Sequence, residues 1–435
     1  MASLLRRRQA PQGRHTPNLW SVWVVAPLAL LVVGALSFGL YHGVYGLLAD
    51  AARSQKPRKP VNINDVIKTT VTVLTLVGAV LAGIYAYRKQ LLSEGDAHRA
   101  DASQLADRYT TAAEQLGHDQ AAVRLAGVYA LARLADDWEE QRQVCIDVLC
   151  AYLRMPYEAD ESAPGHKAGE REVRLTVIRV IRDHMRQPEA PTTWSECSFD
   201  FTGATFDGGD FSEGHFRGLV SFNGATFAGG TVSFDDATFA GGLVSFNGAA
   251  FAGGSVSFDD ATFADGLVSF NHATFAGGTV TFNDATFGDC TVTFHYARFR
   301  GGTVPFFGAI FGDGTVSFNH AIFGDGTVTF FDAIFGGATV TFIGATFGGA
   351  TVDFTGVGFR DGTVTFNRAA FRGGTVTFDG ALFGGGTVIF DDATFGGGTV
   401  SFNHATFGDG TVTFTGATFG GAVITWGSLP PPAGA

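Results

Sequence analysis

The sequence predicts a membrane-anchored α + β-solenoid, and three observations carry that prediction. Two stretches near the N-terminus, 20–48 and 69–87, contain no Asp, Glu, Lys or Arg. The stretch from about 101 to 186 has helical apolar spacing. From Phe222 to Phe419, phenylalanine recurs in two interleaved series, each with a period of 12 residues. One series runs Phe222, Phe234, Phe246 and on through Phe318 to Phe414. The other runs Phe227, Phe239, Phe251 and on through Phe323 to Phe419. Each series has 17 members with none missing, so 34 of the 42 Phe lie in this lattice. Such self-similarity marks a solenoid, in which each unit buries its apolar face only against its neighbours.

The charge divides the chain in the same way. The net charge is -12, but from Trp194 onward there are 21 acidic and 6 basic residues, a net of -15. The first 193 residues hold 20 acids and 23 bases, a net of +3. Cys145, Cys150, Cys197 and Cys290 show neither CxxC nor metal-ligand spacing and read as free thiols. Cys145 and Cys150, five apart, do not share one face of a helix.

The elements follow in order. Residues 1–18 form a basic tail with Arg6, Arg7, Arg8 and Arg14. Residues 19–90 form a two-helix transmembrane region, because about 20 apolar residues cross a hydrocarbon core. Trp20, Trp23, Tyr41 and Tyr45 flank the first span, and Tyr85 and Tyr87 close the second, as interfacial aromatics do. The alternative for the first span is a signal peptide, which its long apolar region and the second span argue against. Pro27 is tolerated in a membrane helix. The two ends carry 7 Lys and Arg against 5 in the loop between the spans (Arg53, Lys56, Arg58, Lys59, Lys68). That bias predicts a multi-pass membrane protein with both termini cytoplasmic.

Residues 91–190 read as a small helical linker. Asp119 is the expected N-cap of a helix continuing to about Leu134, and Gly117 the stop of the helix before it. Further helices are expected at 141–153 and 170–185, split by a Pro- and Gly-containing segment at 156–169. Val173, Val177, Val180 and Ile181 form one apolar stripe. The linker is either a spacer or a partner-binding, self-associating module.

Residues 194–427 form the repeat, and 428–435 a disordered tail. Spacings of five (Phe201, Phe206, Phe211, Phe216) give way to six and then to alternating 5 and 7. Val232 and Ala237 stand two residues before Phe234 and Phe239, as Ala or Val does throughout. In extended chain, residues i and i-2 share a face, so these point inward while Ser233 and Thr238 point out. Asp235-Asp236 and Gly241-Gly242 are turn chemistry. This pattern resembles the pentapeptide-repeat superfamily, whose consensus places Leu or Phe at the centre and Ala two before it. The segment from Tyr109 to Arg186, with Glu-Gln-Leu-Gly-His-Asp and Val-Arg-Leu-Thr-Val-Ile-Arg-Val-Ile, is similar to the region before the repeats in membrane-anchored actinobacterial members. The resemblance implies a right-handed quadrilateral β-helix. The 5-and-7 alternation departs from the family's 20-residue square coil. It implies about 24 residues per coil, a size ordinary for a stacked repeat unit; a 12-residue coil is the alternative. Leu219, Leu243 and Leu267 alternate with Thr231, Ser255 and Thr279, a 24-residue period that favours the larger coil. In that coil Phe234 stacks on Phe258.

No catalytic constellation is present: there is no GxSxG, HExxH or Walker loop, so no catalytic, cofactor or metal residues are expected. His272, His320 and His404 share one repeat position and read as surface turn residues, too far apart to share a metal. Asp236, Asp260 and Asp284 are placed to stack as an acidic ladder, and Thr279/Thr281, Thr291/Thr293, Thr327/Thr329 and Thr411/Thr413 as a hydroxyl ladder that Pro305, Asp353 and Ile389 interrupt. The expected function is a non-enzymatic, membrane-tethered scaffold or protein-interaction surface with an unknown protein partner, and self-association is open. Because some soluble pentapeptide-repeat proteins mimic DNA toward topoisomerases, the resemblance also implies acidic mimicry as an alternative. Ice or ion binding by the ladders is a remote one. Direct nucleic-acid binding is not expected of an acidic rod.

Overall fold

The structure, a computed structural model, describes residues 22–54, 60 and 62–432. The basic tail, Trp20, Lys56, Arg58, Lys59 and residues 433–435 lie outside them, and with them most of the basis for the expected orientation. Two units divide the chain, residues 1–102 and 103–435. In the first, α1 spans Val22–Ser54, running through Pro27, and α2 begins at Ile63 and continues to Leu116. Among the described residues one stretch, Leu31–Ser54, is long and apolar enough to cross a membrane, where the sequence predicts two. The second expected span lies inside α2, a single helix of 54 residues that runs on into polar sequence. Some of its side chains lie outside the described set, and it does not qualify.

In the second unit, α3 (Ala121–Asp137), α4 (Arg142–Arg154) and α5 (Glu170–Met185) pack with the end of α2. Val173, Val177, Val180 and Ile181 are buried together, as their stripe predicts. Two details differ. The N-cap of α3 is Gln120 rather than Asp119, because Arg124 Nη1 donates to the carbonyls of His118 and Asp119 and holds that turn outside the helix. Cys145 and Cys150 are both buried, because α4 is covered on two sides, by α3 and α5 and by the first strand of the rod. Burial pushes the thiols up, to about 11 and about 12, which leaves them protonated and inert.

The rod starts with strand Phe199–Asp200 and its last strand is Val423–Thr425. All its pairings are parallel, and from Val220↔Val244 onward paired residues are 24 apart, as in Phe263↔Phe287 and Thr291↔Thr315, except at two bulges where Arg300↔Asp325 and Arg372↔Gly397 are 25 apart. The 12-residue coil is thereby excluded. Each coil offers four short strand segments, for example Leu243–Ser245, Ala250–Phe251, Ser255–Ser257 and Thr262–Phe263. They assemble into three sheets of 10, 9 and 14 strands rather than four, because two faces merge. At one wide corner the chain stays extended, as in the eight-residue strands Thr226–Ser233 and Ile322–Thr329.

The coil reaches its full length gradually. Phe201 stacks on Phe222, Phe211 on Phe234 and Phe222 on Phe246, so the separation between stacked rings grows until the regular period sets in. The extra residues enter at the two wide corners. There Gly254 (φ +68°) allows close stacking: a Cβ on it would collide with the Gly230 carbonyl oxygen of the preceding coil.

Inside, the rings form four columns. Phe234 lies on Phe258 with centroids 4.8 Å apart and planes 4° from parallel, while Phe246 meets Phe234 edge-on across the core at 89°. Both geometries suit the ring quadrupole. Phe222, Phe227, Phe234, Phe239, Phe246, Phe251, Phe318 and Phe323 are fully buried. Phe414 and Phe419, expected in the core, are half-buried: in the last coil each stacks on a single phenylalanine, Phe390 and Phe395, with Trp426 edge-on beside them.

Candidate interaction surface

With the core occupied by Phe, Val and Ala, differences between coils are confined to the surface, and most of all to the two tight corners. Each tight corner is a four-residue turn. In Phe246-Asn247-Gly248-Ala249 the Ala249 N–H donates to the Phe246 carbonyl at 3.0 Å, and Gly248 has φ +67°. Positive φ at the third residue is the signature of a type II turn. Non-glycine residues occupy that position in many coils, among them Asp236, Asp260, His272, Asp284, Tyr296 and His320, all with φ between +54° and +59°. Backbone that rarely suits a side chain is thus used to hold one outward.

The second turn residue has a different task. Asn223 Oδ1 accepts from the Ser245 hydroxyl at 2.5 Å and from the Asn247 N–H at 3.2 Å, and Asn247 does the same for Ser269 and Asn271. At the opposite corner Asp235 takes the Ser257 hydroxyl and the Asp259 N–H. These side chains tie each coil to the next. Asn223 and Asn247 also cover Ser245 and Ser269, and His295 covers Ser317, all three buried where alternation alone expects them outward.

The 24-residue coil sorts the predicted site residues. His272 and His320 lie on one corner with Tyr296 between them, the three rings stacked at 5.2 and 5.0 Å. His404 lies on the opposite corner, in line with Asp236 and Asp260. His295, beside that stack, is held below the ordinary histidine range by burial and by His320 and His272. The acidic ladder exists: Asp236, Asp260 and Asp284 follow one another at successive coils, and the Asp260 carboxyl is pushed up by desolvation and by Asp236, Asp284, Asp259 and Asp235. It is short. With Asp235, Asp259 and, one coil earlier, Glu213, which Arg186 pairs, it holds six carboxylates over four coils and stops at Phe307-Gly308. A DNA duplex carries a charge about every 1.7 Å without a break, so this column offers little length for mimicry. The Thr pairs do not form one ladder: Thr279/Thr281 and Thr327/Thr329 lie on one sheet, Thr291/Thr293 and Thr411/Thr413 on another.

An apolar surface patch lies beyond what sequence reasoning predicts. Among the described phenylalanines from Phe199 onward, Phe307 and Phe331 alone occupy surface turn positions. They occupy the second turn position of consecutive coils and stack at 5.5 Å on the surface. Ile310 and Ile334, paired on the adjoining face, extend the patch; Phe307 is 47% and Ile310 44% exposed. The signal was the doublets Phe306-Phe307 and Phe330-Phe331, hidden by the abundance of the lattice.

A cleft of about 660 Å³ opens between α5 and the first coils and contains Arg171, Arg179 and Arg182. Each arginine is already paired, with Asp207, Glu172 and both Asp183 and Asp210 respectively. The cleft belongs to the joint between helices and rod.

A family model described as Pentapeptide repeats (9 copies) matches residues 201–250. The match falls on the first coils, where the five-residue spacing is least altered by the widened corners. Among curated proteins and among solved structures, none matches the chain.

Proposed function

We propose, on the premise that this chain carries a pentapeptide-repeat β-solenoid, that it works as a non-enzymatic protein-interaction rod. Solenoids of this kind are generally non-catalytic and often serve as interaction surfaces. The observation that carries the reading is the division of labour within a coil. The core repeats from coil to coil, while the outward third turn residue changes from Gly to Asp, His, Tyr or Arg along the two tight corners. A surface that varies over a constant scaffold suits recognition of a specific partner.

The second part of the proposal is a membrane tether. Leu31, Leu36, Phe38 and Leu47 on α1 are 65–74% exposed, more apolar surface than a soluble helix presents to water. We assign Leu31–Ser54 as a single anchor, in preference to a cleaved signal sequence.

Site-specific photocrosslinking in cells tests the first part. A crosslinker at position 320 or 236, on the corners, is expected to capture one discrete partner, whereas one at position 387, on a Thr-bearing face, captures none. Equal capture from all three positions would sink the corner assignment. Intact mass of the membrane fraction tests the second: full-length chain resisting alkaline extraction is expected, and a chain shortened past Ser54 would show α1 to be a signal sequence.

A further inference from the structure

We infer that the surface formed by Phe307, Ile310, Phe331 and Ile334, flanked by Pro305, docks a cationic amphipathic segment of a partner protein. This rests on the interaction reading above and names the place and the chemistry.

Three observations converge. First, the patch breaks the rule of its own corner. Equivalent positions hold Asp235, Asp259, Asn283, Thr355, Asp379 and Asn403; Asp235, Asp259 and Asp379 each receive a backbone N–H of the next coil, and the Asn283 amide gives to Asp259 of the previous one. A phenylalanine has no oxygen for this; the Phe331 N–H keeps only the bond to the hydroxyl two residues back, Thr329 Oγ1 at 3.2 Å, the equivalent of which Asp235 and Asp379 also make. Three consecutive coils, at Phe307, Phe331 and Thr355, give up the ladder, and the first two gain an exposed ring pair. A local rule broken with no gain inside the fold points to function. Second, the apolar groups are contiguous, through Phe307 on Phe331 and Ile310 beside Ile334. A single exposed apolar residue is ordinary; a contiguous patch marks a contact site. Third, the rim is acidic. The Asp284 carboxylate overhangs Gly308, next to Phe307; Asp332 follows Phe331 directly; Asp353 pairs with Thr329 on the adjoining face.

That rim decides the occupant. A second copy would bring the same aspartates and a further net charge of -15 from its own rod against them, and like charges juxtaposed at an interface are unfavourable. An apolar stripe flanked by Lys or Arg satisfies both centre and rim: aromatic and aliphatic anchors in the middle, steering charges at the edge.

The test titrates the full chain in detergent micelles with a model amphipathic peptide built of Leu and Lys, and with its Leu–Glu counterpart. Three proteins are compared: the natural chain, Phe307→Asn, and Ile343→Asn, which removes an apolar residue from the opposite corner. Asn283 and Asn403 occupy the position of Phe307 in other coils, so Phe307→Asn restores a turn the rod already uses. The Leu–Lys peptide is expected to bind the natural chain, less tightly as salt rises. Phe307→Asn is expected to weaken it by about tenfold or more, as for an interface anchor, with Ile343→Asn unchanged. Equal affinity for the natural chain and Phe307→Asn, or equal affinity for the Leu–Glu peptide, would overturn the proposal. So would self-association of the natural chain that Phe307→Asn abolishes, since the occupant would then be a second copy. If corner crosslinks persist while the peptide fails to bind, this inference falls and the interaction rod stands.

Discussion

The helical cap and the rod share one continuous core and are built by opposite means. The cap, α3 to α5, relies on contacts that occur once. Arg124, 3% exposed, pairs with Glu170 at 3.2 Å, and Glu170 also accepts from the Tyr152 hydroxyl at 2.8 Å. Arg174, also buried, donates to the Thr205 carbonyl of the first coil at 2.8 Å. Arg154, Arg171, Arg182 and Arg186 tie cap to rod through Asp200, Asp207, Asp210 and Glu213. The rod beyond its first coil buries no charged side chain among the described residues. Its cohesion comes from one contact set repeated at every coil. Losing a singular contact therefore damages a whole module, whereas losing one copy of a repeat damages its neighbourhood.

The sharpest way to break this comparison is Arg124→Ala. It leaves Glu170 charged and buried with only the Tyr152 hydroxyl, and removing one partner of a buried pair typically costs about 3–5 kcal/mol. Denaturation followed by Trp fluorescence, with Trp20, Trp23 and Trp426 replaced by Phe so that Trp138 and Trp194 alone report, should show the cap melting early as one unit while rod amides stay protected from exchange. Simultaneous loss of rod protection would mean that cap and rod are a single cooperative unit.

Next in reach is Phe318→Ala. Phe318 is fully buried and stacks on Phe294 at 4.6 Å and Phe342 at 4.9 Å. Truncation should cost about 3–5 kcal/mol, as for buried aromatics elsewhere. The loss stays local, because rings two coils away keep their own partners. Hydrogen exchange should rise within one coil on either side. A uniform rise along the rod would contradict the nearest-neighbour picture.

The same contrast explains what was legible in the sequence. Periodicity announced the rod, and the alternation of Leu243 with Ser255 was enough to choose the larger coil over the smaller, because each position is reported many times. The stripe from Val173 to Ile181 announced α5 for the same reason on a smaller scale. What was not legible depends on single encounters. No pattern says that Arg124 meets Glu170 at the start of α5, or that it shifts the start of α3 past Asp119. Nor does two-fold alternation show that Ser245 is roofed by Asn223, a residue of the preceding coil. Phe307 and Phe331 were hidden for the reverse reason. Repetition absorbs attention, and a surface residue of the core's own type does not stand out until its exposure is measured.

The smallest expected effect sharpens the comparison from the rod's side. Stacking that serves the Phe columns also stacks charge, since a carboxylate at a corner sits one coil above another. Asp260 is the clearest case, its pKa raised from the ordinary 3.8 by desolvation and by the aspartates of adjacent coils. A carboxyl that binds its proton more tightly folded than unfolded destabilises the fold when ionised. That penalty is present above the raised value and is relieved as pH falls through it toward the unfolded value. Asp260→Asn should therefore stabilise the rod slightly at neutral pH, within the roughly 0.5 kcal/mol typical of surface changes. The gain should shrink in high salt, which screens exposed charges, and vanish once the pH falls below the ordinary carboxylate range. Asp313→Asn serves as the control, because in its column Asp289 precedes it and an uncharged Gly337 follows. It should gain less than Asp260→Asn, which has charged neighbours on both sides. Equal gains at the two positions would place the effect in the turn itself, leaving the acidic ladder without an energetic consequence.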